Sequence, residues 1–164
     1  MKYFAYGSNM LLERLRERVP SAIIHKKAKL HGYTLTWCKT GKDGSGKCSI
    51  VNTSKEQDYV WGVLYEIDSA EKINLDRIEG LGYGYDETII QLEFNKEIIK
   101  AVTYIATNIN PCLKPYRWYK DFVIQGARQN KLSKNYIALL KTAECISDPD
   151  KKRLQNNRNI LNKS

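Results

Sequence analysis

Tyr59-Val60-Trp61-Gly62-Val63-Leu64-Tyr65-Glu66-Ile67 is nearly unbroken in apolar character, and it limits the folds open to this chain more than any other stretch. A strand with one wet face alternates polar and apolar residues, whereas a continuous run suits a strand covered on both faces. The chain must therefore supply this strand with neighbours and with a packed layer on each side. Its 164 residues are enough for one domain, which at that size buries roughly two thirds of its unfolded surface.

Partners for the strand can be read along the chain. Residues 3–6 form a short aromatic run, residues 22–38 read as strand broken at Gly32, and residues 48–52 as a short strand. Residues 88–94 and 98–107 are two further strands, and the polar turn Asn95-Lys96-Glu97 between them is a hairpin signal. Helical spacing is expected over residues 10–18, ended by Pro20-Ser21, and over a short segment capped by Asp68-Ser69 and running to Ile78. From Pro115 the period turns helical again. Trp118, Tyr119, Phe122, Val123 and Gly126-Ala127 make one face; Leu132, Tyr136, Leu139, Leu140 and Ala143 make another. The expected class is α+β, a small mixed or antiparallel β-barrel with flanking helices, since closure removes exposed strand edges. Residues 1–147 are expected to form the domain, and residues 148–164 a basic C-terminal tail or helix, begun by the cap-like Asp148-Pro149-Asp150 and fraying in its later Lys-, Arg- and Asn-rich residues.

Charge and cysteine content narrow the functional classes. The formal charge is +9, of which residues 1–110 carry +1 and residues 111–164 carry +8. Solvated helix faces are the expected home of that excess, with an anion-attracting surface as the alternative. A nucleic-acid-binding protein is one reading of it, but the chain has no RNP-type, zinc-finger or helix-turn-helix signature. Cys38, Cys48, Cys112 and Cys145 are scattered without Cys-x-x-Cys spacing, so free thiols and no metal are expected. No apolar run approaches the ~18 residues of a membrane span, and Met1-Lys2 leads straight into strand, so the expected address is cytoplasmic.

Two stretches carry candidate chemistry. In Tyr3-Phe4-Ala5-Tyr6-Gly7-Ser8-Asn9-Met10 a strand meets a turn and a helix start. Such a turn gathers unpaired backbone N–H groups, which suit a small anion or carboxylate; an ordinary capped turn would read the same way. It is not a P-loop, having no Gly-Lys-Ser/Thr. The second stretch, Glu79-Gly80-Leu81-Gly82-Tyr83-Gly84-Tyr85, sets three glycines beside one carboxylate. The glycine-rich segment at residues 40–47 precedes no helix and reads as a loop, and His25 and His31 read as surface or packing residues.

Three separated pieces resemble one family, the γ-glutamylcyclotransferases: residues 3–9, Val60-Trp61-Gly62-Val63-Leu64-Tyr65, and Leu75-Asp76-Arg77-Ile78-Glu79-Gly80. A weaker match is Tyr119-Lys120, Gly126-Ala127, Leu132, Tyr136 and Leu140. The resemblance implies a barrel-like α+β fold and conversion of a γ-glutamyl amide to 5-oxoproline without cofactor or metal. It implies Glu79 as the catalytic acid/base. It also implies that Tyr6, Gly7, Ser8, Asn9 and Met10 hold the substrate, with Tyr104 at the substrate and Tyr85 lining the same cavity. The implied partner is a small γ-glutamyl compound, with no membrane and no specific nucleic acid, and a homodimer is compatible with the reading. A γ-glutamylamine cyclotransferase with another leaving group and a non-catalytic small-molecule binder stand as alternatives.

Overall fold

The computed structural model describes residues 1–163. Seven strands and five α-helices follow one another as β1 (Lys2–Ala5), α1 (Leu12–Arg16), β2 (Ile23–His31), β3 (Tyr33–Thr40), β4 (Gly46–Asn52), β5 (Tyr59–Glu66), α2 (Lys72–Glu79), β6 (Tyr85–Phe94), β7 (Glu97–Ala106), α3 (Arg117–Gln129), α4 (Lys134–Thr142) and α5 (Lys151–Leu161). Five strands make one mixed sheet in the order β2-β5-β1-β7-β6, and β3 with β4 forms a separate hairpin. The apolar strand β5 is interior, antiparallel to both β2 and β1, and Val63, Leu64 and Tyr65 are all fully buried, so consecutive residues are covered on both faces.

The sheet curls into a half-barrel. Its edge strands β2 and β6 approach each other without a hydrogen-bonded ladder, and the Lys26 ammonium lies 4.3 Å from the centre of the Phe94 ring across the gap. The β3–β4 hairpin packs against the loop after β7, through Thr40 N–H to the Asn108 carbonyl at 2.9 Å and Asn110 N–H to the Cys38 carbonyl at 2.7 Å. Among the described residues no helix is long and apolar enough to cross a membrane.

The N-terminal helix is shorter than its spacing suggests. A 3-10 turn occupies Ser8–Met10 and α1 proper only Leu12–Arg16, with no side-chain cap at either start. The side chain of Asn9, a good capping type, is claimed by tertiary partners instead. Helix α3 crosses this turn so closely that a Cβ on Gly126 would sit 2.6 Å from Leu11 N and from the Met10 carbonyl carbon. The next residues of α3 then clamp the turn: Gln129 accepts from Leu12 N–H at 3.1 Å and Asn130 donates to the Met10 carbonyl at 2.9 Å.

The C-terminal segment is fastened to the rest of the chain at Asp148. Its carboxylate accepts from Trp118 Nε1 at 2.7 Å and from Arg153 Nε and Nη2 at 2.7 and 2.5 Å. Asp150 caps α5, accepting from Arg153 N–H at 2.9 Å. Trp118 lies on α3 and Arg153 on α5, so one buried side chain joins the two helices.

Candidate active site

Helix α2 ends on Glu79 because Gly80 adopts φ +73°, a left-handed conformation that favours glycine and closes the last helical turn. That stop aims Glu79 at the start of α1. Its Oε1 accepts from Asn9 Nδ2 at 2.9 Å and from Arg18 Nη1 at 3.1 Å. Arg18 Nη1 also donates to Asn9 Oδ1 at 2.8 Å, and Asn9 Nδ2 to the Tyr3 hydroxyl at 2.9 Å. The carboxylate is therefore anchored through one oxygen by a closed network. Oε2 has no hydrogen-bond partner among the described residues, and Glu79 is one of the residues that line a narrow cavity. Glu79 and Arg18 side chains retain only 14% and 18% exposure, so the pair is screened from bulk water far more than a surface salt bridge is.

Tyr6, Gly7, Ser8 and Asn9 line that cavity together with Glu79, Tyr85 and Tyr104. The backbone N–H groups of Gly7, Ser8 and Asn9 have no hydrogen-bond partner among the described residues, nor does Ser8 Oγ. Met10 is placed differently. It is fully buried behind the turn, its N–H donates to the Gly7 carbonyl at 3.0 Å, and its carbonyl accepts from the Tyr65 hydroxyl at 2.8 Å and from Asn130. With both backbone groups engaged and no place among the residues lining the cavity, Met10 holds the turn in place.

Tyr3, Cys48 and Tyr119 complete the lining, and none was expected as a site residue from the sequence. Tyr3 opens the candidate stretch that runs into the turn, so its place in that stretch was the signal available. Tyr119 belongs to the weaker C-terminal match, on a helix more than a hundred residues from the turn, where a tyrosine at a core position gives no functional signal. Most hydroxyls here are committed. Tyr6 donates to the Tyr104 carbonyl, Tyr85 to the Cys48 carbonyl at 2.7 Å, and Tyr104 to Asp76 Oδ1 at 2.5 Å. The Tyr3 hydroxyl accepts from Asn9 and gives its own proton to no described partner.

Burial raises the pKa of Tyr3, Tyr6, Tyr85, Tyr104 and Tyr119, so each stays a neutral hydroxyl at physiological pH; Glu79 adds to the shift of Tyr3, and Asp76 to that of Tyr104. Burial also pushes the Cys48 thiol up to about 12, which leaves it protonated and a poor nucleophile. The cavity thus offers one carboxylate with a free oxygen, unpaired N–H donors and neutral hydroxyls. That set can move a proton and hold an oxyanion or carboxylate, and needs no covalent attachment to the protein. The free volume is about 30 Å³, room for one or two water-sized groups.

The chain is similar to known proteins in both sequence and fold. The AIG2-like family pattern matches residues 59–140. The γ-glutamylcyclotransferases of Bos taurus and Homo sapiens are each 32% identical over 149 residues, covering 87% of this chain and 78% of theirs. A solved structure of a γ-glutamyl cyclotransferase superposes with a TM-score of 0.88 at 29% identity, covering 100% of this chain and 99% of that one.

Proposed function

The chain belongs to the γ-glutamylcyclotransferases of the AIG2-like family, and we propose that Glu79 carries the proton transfers of that reaction through its free oxygen. The substrate's α-amine reaches the site as an ammonium and cannot attack in that form. Glu79 Oε2 takes a proton from it, and the amine nitrogen then adds to the γ-carbonyl carbon to close a five-membered ring. The tetrahedral oxyanion is held by donors at the turn, the N–H groups of Gly7 and Ser8 and the uncommitted Tyr3 hydroxyl. Collapse breaks the bond to the departing nitrogen. The two protons shed by the α-nitrogen end on the departing amine, relayed by the same carboxylate, and 5-oxoproline remains.

The single observation behind this assignment is the asymmetric hold on Glu79. Asn9 and Arg18 fix Oε1, so the side chain is oriented, while Oε2 has no partner among the described residues and the residue lines the cavity. Because attack and leaving groups belong to one molecule, orientation within the cavity supplies much of the remaining rate. Tyr104, expected at the substrate, acts from this position as a wall whose hydroxyl is spent on Asp76; Tyr85 likewise braces the Cys48 carbonyl. The test is release of 5-oxoproline from γ-glutamyl-alanine by the full chain. Binding without any product would leave the non-catalytic reading standing instead.

A further inference from the structure

A cleft of about 240 Å³ opens in front of the cavity and shares Ser8, Glu79, Tyr85 and Tyr119 with it. Its walls carry five cations, Arg14, Arg18, Lys39, Lys42 and Lys47, against two carboxylates, Asp43 and Glu79. Both carboxylates are already matched, Glu79 by Arg18 at 3.1 Å and Asp43 by Lys47 at 2.7 Å. Arg14, Lys39 and Lys42 have no ion-pair partner among the described residues.

Two of these unmatched cations are held where water cannot fully serve them. The Arg14 guanidinium lies 4.3 Å from the centre of the Phe122 ring, and its Nε is buried with no hydrogen-bond partner. Lys39 is only 8% exposed, with its ammonium 4.9 Å from the centre of the Tyr85 ring. Burial lowers the pKa of both, with Arg18 adding to the effect at Arg14, and Lys47 is lowered by burial with Arg14 and Lys39 contributing. Desolvated like charges that repel one another are costly unless an anion joins them.

We propose that this cleft is the leaving-group subsite and that it selects a leaving group with two anionic groups, an acidic amino acid. The preferred substrates are then γ-glutamyl-glutamate and γ-glutamyl-aspartate, ahead of γ-glutamyl-alanine and of conjugates with an uncharged alkylamine. The inference rests on the cyclotransferase reading. Glu79 lies on both the cavity and the cleft, so the bond it serves sits at their border. The glutamyl end faces the N–H groups of the turn, and the departing side faces the cations. An ordinary amino acid brings one carboxylate, whereas three unmatched cations accommodate a second.

The test compares kcat/KM for γ-glutamyl-glutamate, γ-glutamyl-alanine and a γ-glutamyl-alkylamine by 5-oxoproline release, at low and at physiological salt. The expected order is as written, with the acidic substrate most sensitive to salt. Lys42→Gln, in an exposed loop, and Lys39→Met should each lower kcat/KM for γ-glutamyl-glutamate by roughly fivefold while changing γ-glutamyl-alanine less, the size of one ion pair. Lys55→Gln, beyond the far end of β4, removes the same charge away from the cleft and should not alter the ratio. Equal use of the acidic and alanine substrates, or a ratio unmoved by Lys39→Met and Lys42→Gln in folded protein, would overturn the proposal. Absence of 5-oxoproline from every member would sink the cyclotransferase reading itself, and this inference with it.

Discussion

Two carboxylates in this molecule are each held by an arginine, Glu79 by Arg18 and Asp148 by Arg153, but to different ends. Glu79 receives both of its donors on Oε1 and leaves Oε2 without a partner among the described residues. Asp148 is saturated: Oδ1 accepts from Arg153 Nη2 and Asp150 N–H, and Oδ2 from Trp118 Nε1 and Arg153 Nε. Its side chain has 0% exposure. A carboxylate with every lone pair used can fasten elements together but has no site left to take a proton from a ligand. One left half-coordinated beside unpaired N–H groups has the free lone pairs that the proposed proton transfer needs. The local residue type is the same; the completeness of the hydrogen-bond shell differs.

Glu79→Gln tests that contrast most severely. The amide keeps an oxygen for Asn9 and Arg18 but cannot shuttle a proton, so 5-oxoproline release should fall roughly 10²–10⁴-fold. Arg18 also loses the charge of its low-exposure partner, so the stability cost is expected to be roughly 1–3 kcal/mol, smaller than the loss of turnover. A stability loss matching the activity loss would move Glu79 into the structural class with Asp148.

Asp148→Asn should do the reverse. It removes the charge that Arg153 and Trp118 share, and the expected cost is roughly 1–3 kcal/mol in a urea melt. Turnover per folded molecule should be unchanged. Loss of activity without loss of stability would show that the α3–α5 clasp reaches the site.

The same residue makes a pH prediction. Hydrogen bonds from Arg153, followed by that from Trp118, hold the Asp148 carboxyl at about 2, below its ordinary 3.8. A depressed carboxylate stabilises the fold above its unfolded pKa, and that contribution disappears as pH falls through the folded value. Wild-type stability should therefore drop between about pH 4 and pH 2 by roughly 2 kcal/mol on account of this group. Subtracting the Asp148→Asn profile isolates the effect, and a difference that does not change across that window would remove Asp148 from the acid limb.

Tyr104→Phe is the mildest change. Its hydroxyl serves Asp76 and not the cavity directly, so the variant should lose about 1 kcal/mol of positioning. The measurement is kcat/KM for γ-glutamyl-alanine, with a several-fold decrease expected. A loss as deep as that of Glu79→Gln would mean that this hydroxyl takes part in the reaction.

Much of the framework was legible before any coordinates. The unbroken apolar run became an interior strand, the Asn95-Lys96-Glu97 turn joined β6 to β7, and the face Trp118, Tyr119, Phe122, Val123 of α3 is buried. These follow from periodicity, which is local. The catalytic candidates were legible only through the resemblance, because a glutamate at a helix end is far more often a surface residue. Arg18 and Asp148 left no trace in the pattern. Arg18 reads as an exposed helix-terminal cation until Glu79 is brought to it, and Asp148 as part of a helix-cap start until Trp118 meets it.

By itself the sequence determined which segments alternate and which run apolar, since these depend on neighbours along the chain. It therefore placed the strands and the C-terminal helices, whereas the N-terminal helix came out shorter and α2 ended one residue later, on Glu79. Tertiary structure decided which groups remained unpaired. Asn9 gave up capping for the Glu79 network, Met10 lost both backbone groups to the core, and three cations were left around the cleft without ion-pair partners among the described residues. Whether a polar group is spent or available depends on partners up to a hundred residues away in the chain, and only the folded packing fixes which of those contacts are made.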